Sequence, residues 1–363
     1  MNDLAELKEF VGAHAKAQRI GRYQEILDRV RTDEGDGAGT WAGEWSAAAE
    51  RLAAAGRPLE AAGHYNMARF PYVDGPARQK AMDSCVGAFE EWAAGRDLHR
   101  VDLDLPGGRV RCWSAGLSDA APRPLVLICG GIVSIKEQWA PALSLIGRLG
   151  MAGVVTEMPG VGENTLRYDA GSHAMFPAIL DAVAGRADVD RTYALALSFS
   201  GHLALRAATE DRRIRGIITG GAPISAFFTD AAWQAQVPRI TMDTIAHLAG
   251  VPPERLAETL RPWALDPAAL AALDVPVACT ASLRDEIIPA EDVRLMRTHL
   301  RRLDLVENDD VHGSPRYIAA TRVWGALSVL RMHGARNPQR LVLGTLLRLL
   351  RARQALAGGR SGR

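Results

Sequence analysis

The 363-residue chain has almost no lysine. It has only Lys8, Lys16, Lys80 and Lys136, so its 43 basic side chains are nearly all arginine. An excess of charge is missing too, since 42 acidic residues leave a net +1. A nucleic-acid binder usually shows a basic excess or a basic stripe. Neither is visible, so no nucleic-acid partner is expected. Cysteine is scarce: Cys85, Cys112, Cys129 and Cys279 stand apart, with no C-x-x-C pair. That excludes the usual zinc and redox motifs, and no metal is expected. Isolated cysteines in a chain of this size read as buried reduced thiols of a cytosolic protein. No run of 18 apolar residues occurs, so no membrane span is expected. The opening MNDLAELKEF is polar, with no apolar signal region, and a cytoplasmic location follows as the expectation. The phosphate-loop patterns G-x-x-x-x-G-K and, after the first strand, G-x-G-x-x-G are absent.

What is present is a soluble-protein composition. At 48% hydrophobic and 23% charged residues, the chain is too apolar to be disordered over most of its length. Its length predicts two structural units, or one large domain with an insertion, at roughly 100–200 residues each. Residues 1–96 carry helical signals only. Leu4, Leu7, Phe10 and Val11 repeat at helical spacing, as do Tyr23, Ile26, Leu27 and Val30. Trp41–Ala55 reads as a helix closed by Gly56, Pro58 opens the next, and Pro76–Ala94 ends at Gly95. This segment is expected to be a helical cap.

The period changes near residue 98. His99–Leu105 and Val110–Trp113 alternate around Pro106-Gly107-Gly108, a hairpin signature. From residue 125 short apolar strands alternate with helices. The strands are Leu125–Cys129, Val154–Glu157, Tyr193–Leu197, Ile214–Thr219, Val275–Ala281 and Leu303–Glu307. The helices are Trp139–Leu149, His173–Val183, Gly201–Ala208 and Glu291–Leu300. Such alternation implies a parallel sheet covered on both faces. Helical stretches at 222–270 interrupt it and are expected to form a lid. Tyr317–Leu356 reads as largely helical, Arg340–Arg353 as an amphipathic helix with a solvated face, and the last residues, 358–363, as disordered.

The chemistry centres on Ala196-Leu197-Ser198-Phe199-Ser200-Gly201. It follows a strand and opens a helix, the context of the nucleophile elbow G-x-S-x-G. The sharp turn needs small neighbours, and Ala196 and Ser200 supply them. Centring the motif on Ser200 would put His202 where a small residue is required, so Ser198 is the candidate nucleophile. An acid and a histidine follow in the order Ser, acid, His. Asp285 stands just past a strand, before an apolar pair and Pro289, and is preferred to Glu286 as the acid that orients the imidazole. His312, after the next strand, is the candidate base. Asp309 and Asp310 read as loop or capping acids. An oxyanion hole needs two backbone N–H donors. One is expected at Phe199, the other at Ile132 or Gly131 in the loop after Leu125–Cys129. Glu157-Met158-Pro159-Gly160 reads as a structural turn beside the site. His202 either lines the pocket or packs. Tyr65 either reaches the substrate or packs within the cap, and Phe227 and Trp233 either wall the pocket or fill the core.

These landmarks together resemble the α/β-hydrolase superfamily. Ala47-Ala48-Ala49-Glu50-Arg51 to Gly63-His64-Tyr65-Asn66-Met67-Ala68-Arg69 is similar to the helical segment of FrsA-like esterases, the group that includes 2,6-dihydroxypseudooxynicotine hydrolase. The resemblance covers roughly residues 40–335. It implies a helical cap (1–96) over an α/β-hydrolase domain (97–363), a Ser198–His312–Asp285 triad, no cofactor and, in many members, a homodimer. It further implies a small, largely apolar ester, thioester or C–C ketone substrate. The sequence departs from the pattern at Ala196 and Ser200, which replace the elbow glycines, and at Glu157, where Asp often precedes the Pro-Gly turn. Three functions remain open at this point: hydrolysis, a non-hydrolytic acyl transfer or acid elimination with His312 as base, and a ligand-binding pseudo-hydrolase. A composition typical of GC-rich genomes associates the chain with natural-product biosynthesis.

Overall fold

The computed structural model describes residues 2–358. Five helices come first: α1 (Leu4–Ala17), α2 (Tyr23–Leu27), α3 (Trp41–Ala54), α4 (Pro58–Ala68) and α5 (Pro76–Ala93). Their starts are chemically marked. Asp3 accepts the N–H groups of Ala5 (2.9 Å) and Glu6 (3.0 Å), and Thr40 accepts that of Gly43 (3.1 Å), satisfying donors that a helix start leaves free. Pro58 and Pro76 stand where a missing N–H costs nothing. Trp41, Trp45, Phe70 and Phe89 form the buried centre of this helical segment.

One eight-stranded sheet follows, in the order β1-β2-β4-β3-β5-β6-β7-β8. Its strands are β1 (His99–Leu105), β2 (Gly108–Ala115), β3 (Pro124–Cys129), β4 (Ala152–Thr156), β5 (Asp188–Ala196), β6 (Ile214–Gly220), β7 (Val277–Ser282) and β8 (Leu303–Asn308). The β1–β2 hairpin and the β2–β4 pair are antiparallel; all other neighbours are parallel. Every residue of β3 and β4 is buried, which explains their unbroken apolar runs. Connecting helices are α6 (Lys136–Trp139), α7 (Leu143–Arg148), α8 (Met175–Val183) and α9 (Phe199–Glu210). Between β6 and β7 lie α10 (Ala226–Thr229), α11 (Ala231–Gln234), α12 (Arg239–Ala249), α13 (Pro253–Leu260) and α14 (Pro267–Ala272). The chain closes with α15 (Ala290–His299), α16 (Ile318–Met332) and α17 (Pro338–Gly358). Among the described residues no helix is long and apolar enough to cross a membrane.

Three expected helices are shorter or broken. Trp139–Leu149 is interrupted by a 3-10 turn at Ala140–Ala142, because Pro141 cannot donate into an α-helical ladder. His173 lies in a 3-10 turn before α8. The C-terminal helix splits at Gly334, whose φ is +75°, and restarts at Pro338. On α17 the solvent face carries Leu341, Val342, Leu346 and Leu349 exposed, so apolar residues share it with the arginines. The disorder expected for 358–363 lies, beyond Gly358, outside the described residues.

A buried ionic cluster fixes the loop after β3. Lys136, fully buried, pairs with Glu137 (2.9 Å), Glu157 (3.1 Å) and Glu163 (2.6 Å). Burial opposes its charge, but the three carboxylates outweigh burial and hold the ammonium above the ordinary lysine value. Glu157 also accepts the backbone N–H groups of Lys136 (2.9 Å) and Glu163 (2.8 Å), so the structural turn after β4 is tied to the loop after β3. Arg100 and Arg111 complete the cluster through Glu163. Removing one partner from such a site leaves the rest buried and unpaired. Lys136→Met should lower the unfolding free energy by about 3–5 kcal/mol in urea titration, and adding Glu157→Gln should recover part of it. A loss below ~1 kcal/mol would show that the cluster is not holding the loop.

Candidate active site

Ser198 sits between β5 and α9 with φ 57° and ψ −129°, a backbone region that costs a non-glycine residue about 1–3 kcal/mol. Its surroundings hold it there. The Ser198 N–H donates to the Gly220 carbonyl at the end of β6 (2.8 Å), and the Leu197 N–H to the Cys129 carbonyl at the end of β3 (3.0 Å). The departures from the elbow glycines are accommodated within this frame. Ala196 is buried. Ser200 Oγ lies 2.9 Å from the Cys129 carbonyl and 3.0 Å from that of Leu197, so its hydroxyl is satisfied. The tight approach falls instead on Gly201, where a Cβ would overlap Thr219 Oγ1.

His312, in the loop after β8, places Nε2 3.1 Å from Ser198 Oγ. Its Nδ1 lies 3.0 Å from each oxygen of Asp285, in the loop after β7. Asp285 Oδ1 also accepts the N–H groups of Ile287 (3.0 Å) and Ile288 (2.8 Å). The two adjacent acids divide the work: Asp285 faces the ring, and Glu286 accepts the backbone N–H of His312 (2.9 Å). Asp309 pairs with Arg284 (2.8 Å), and Asp310 accepts the Val311 and Arg316 N–H groups (3.0 and 2.7 Å), as loop acids do. Burial opposes charge on His312, but contact with Asp285, reinforced by Glu286, more than offsets it and raises the imidazole above the ordinary histidine value. With Nδ1–H directed to Asp285, Nε2 is left to accept the Ser198 hydroxyl proton.

Gly131 runs beside Ser198. A Cβ there would lie 3.2 Å from Ser198 Cβ and 3.6 Å from Oγ. Among the described residues the N–H groups of Gly131, Ile132 and Phe199 donate to no protein acceptor. Unspent backbone donors next to the nucleophile's hydroxyl are what stabilisation of a developing oxyanion requires, and two suffice.

The other four candidates have packing partners. His202 Nε2 lies 2.8 Å from the Trp263 carbonyl, the ring packs on Phe228, and burial pulls it down to about 3. Phe227 meets Phe199 edge-on at 5.0 Å beneath the elbow. Trp233 donates its indole N–H to the Ile287 carbonyl (2.8 Å), bracing the Asp285 loop. Tyr65 is buried on α4, and the acid bearing on its hydroxyl is Glu50 of α3. His202, Phe227 and Trp233 thus each help to hold their own elements in place.

Three residues near the site escaped the sequence reading. Gly221, φ +62°, leaves room for the imidazole: a Cβ would stand 2.6 Å from His312 Cε1. Arg69, buried on the helical segment, donates to the Val133 carbonyl of the Gly131 loop and to Asn66 Oδ1 (2.9 Å); burial pulls its guanidinium down to about 10. His14, on α1, packs its ring on Phe70, the neighbour of Arg69 in the chain. Helical spacing from Leu7 and Val11 was the available signal for His14; the other two depend on contacts distant in the chain. Among the described residues no three His, Cys, Asp or Glu side chains converge as a metal site. A cleft of about 880 Å³ lies elsewhere, between α5 and the β1–β2 hairpin, beside Met82, Glu90, Arg109 and Glu163.

Comparison with known proteins finds relatives in sequence and in fold. Residues 16–302 match the family model described as esterase FrsA-like. The chain is 26% identical over 287 residues to the esterase FrsA of Vibrio cholerae, covering 72% of this chain and 68% of that one. It is 27% identical over 202 residues to the esterase FrsA of Citrobacter koseri, covering 53% of this chain and 49% of that one. The match thus spans about half the length of the latter. Among solved structures, AbyA5 is 51% identical with a TM-score of 0.93, over 96% of this chain and 100% of that chain. The 2,6-dihydroxy-pseudo-oxynicotine hydrolase shares the fold at 20% identity and a TM-score of 0.68, over 94% and 96% of the two chains. For the site itself, Gly221→Ala should displace the imidazole and cost about 1–2 kcal/mol for the left-handed backbone. In NMR the low-field proton of the His312–Asp285 hydrogen bond should vanish. Its persistence unshifted would show that the ring does not depend on Gly221.

Proposed function

We propose that this chain, which belongs to the FrsA-like esterase family, is a serine α/β-hydrolase that splits small, largely apolar ester, thioester or ketone substrates at the carbonyl. The observation that carries this reading is the unbroken hydrogen-bonded line from Asp285 through His312 to Ser198, ending on a strained serine beside free backbone donors. In this mechanism Ser198 Oγ attacks the carbonyl carbon while His312 Nε2 takes its proton. Asp285 stabilises the imidazolium. The N–H of Phe199, with that of Ile132 or Gly131, receives the negative charge developing on the carbonyl oxygen; losing one such donor costs about 2.7–4 kcal/mol of activation free energy. His312 returns the proton to the leaving group, and water, activated by the same imidazole, releases the acid. Four esterases named FrsA in enterobacteria and Vibrio cholerae, and the neighbour named a hydrolase, support acyl chemistry.

A second reading is favoured by the partial burial of the imidazole: the His312 side chain is 17% exposed, which limits the approach of attacking water. His312 Nε2 then removes a C–H proton from the substrate, a C=C bond forms, and a carboxylate leaves with the C–O electrons, while Ser198 only orients the substrate. Ser198→Ala would abolish turnover in the first reading. In the second it would retain a large part, with His312→Ala inactive.

Incubation with a fluorophosphonate, followed by intact mass, tests the first reading. One adduct is expected on the wild type and none on Ser198→Ala. An unmodified wild type would sink the nucleophile assignment.

A further inference from the structure

Charge is unevenly placed along the chain. The whole is close to neutral, yet past Asp310 there are ten arginines and no acidic residue. Four of these arginines, Arg340, Arg348, Arg351 and Arg353, lie on α17, and the helix carries no carboxylate to pair with them. Arg340 donates to the Ala335 carbonyl (3.0 Å) and Arg348 to Thr345 Oγ1 (3.2 Å). Such a basic, acid-free segment seeks an anionic partner.

The same helix is apolar on two sides. Inward, Leu347 is buried, and Leu343 and Leu350 pack against the core. Outward, Leu341 (75%), Val342 (63%), Leu346 (41%) and Leu349 (60%) are exposed. Among the described residues these are four of the seven large apolar side chains that stand exposed, so they form a patch and not the usual scatter. Helical spacing sets Val342, Leu346, Leu349 and Arg353 in one row, and Leu341, Thr345 and Arg348 in the row beside it. Each row is apolar toward the start of α17 and ends on an arginine. Gln354 Nε2 donates to the Arg316 carbonyl (3.3 Å), so both ends of the patch are presented on a fixed helix.

The chemistry of the patch selects its occupant. Paired antiparallel with a second copy, the leucine start of each helix would meet the arginine end of the other. Paired parallel, arginine would meet arginine. A nucleic acid would match the charge but leave the leucines unused. An anionic bilayer surface matches both, since leucines enter the acyl boundary while arginine stems reach back to the phosphates. We propose that α17 is an interfacial anchor that docks this chain on membranes rich in anionic lipid, lying in the headgroup plane. It does not cross, because no described helix is long and apolar enough. The proposal is independent of how Ser198 acts.

The test is co-sedimentation of the full chain with equimolar phosphatidylglycerol–phosphatidylcholine vesicles at about 0.1 M salt. Binding should be at least about tenfold tighter than to pure phosphatidylcholine. Arg348→Gln/Arg351→Gln/Arg353→Gln should weaken it by about a hundredfold, and Leu341→Ser/Leu349→Ser by at least about tenfold. Both variants change exposed side chains only, and thermal unfolding equal to the wild type's is expected. Protein left in the supernatant, equal binding to the two vesicle types, or a variant that binds as the wild type does overturns the proposal. So does sedimentation velocity showing a lipid-free dimer that Leu341→Ser/Leu349→Ser dissociates, which would give the face to a second copy. Tighter binding to duplex DNA than to vesicles, lost with the arginines and kept without the leucines, would give it to nucleic acid instead.

Discussion

Everything around the site is arranged about one strained residue. Ser198 holds a backbone conformation that serine does not choose alone, because the ends of β3 and β6 accept the N–H groups of Leu197 and Ser198. Parallel strands buried on both faces make these carbonyls rigid acceptors. Close packing follows from that vice. Gly201 lies against Thr219, Gly131 against Ser198 and Gly221 against His312, each at a distance where a methyl group would collide or press. The strain is thus carried by the sheet, and the hydroxyl is presented at the sheet's carboxyl end, where parallel α/β folds place ligands.

Buried charge serves the same purpose one layer out. Lys136 and Glu157 lock the loop that carries Gly131 and Ile132. Arg69 reaches that loop from the N-terminal helices. Asp292, buried on α15, accepts four backbone N–H groups from Ile224 to Phe227 and so fixes the start of the inserted helices. Each charge is met by several partners, which is the condition for burying one without a large penalty. The helical segment, the sheet and the insertion therefore converge on the same few loops.

Much of this was legible in the chain. The strands β3 and β4 show as short apolar runs, because burial on both faces leaves no room for polar residues. The elbow shows because its geometry restricts residue size, and Asp285 and His312 show because each follows a strand in the order the fold imposes. What was not legible depends on tertiary closure. Gly221 matters only because His312, 91 positions later in the chain, lands beside it. Arg69 reads as a surface arginine until Val133 meets it. The partners of His202, Phe227 and Trp233, namely Trp263, Phe199 and Ile287, are likewise set by tertiary closure. Pro141 was visible, but that it breaks its helix into α6 and α7 was not inferred from it.

The central claim is that Asp285 raises His312, and that neutral His312 activates Ser198. The measurement that reads this directly is the rate of Ser198 phosphonylation against pH. A raised imidazole is still protonated, and so unable to accept a proton, as pH rises past the ordinary value of about 6.5. The rate should therefore be low in acid and climb through a single ionisation above that value to an alkaline plateau. Asp285→Asn should move the midpoint down and lower the plateau by up to about 10⁴-fold. A rate independent of pH, or a midpoint unmoved by Asp285→Asn, would contradict the account.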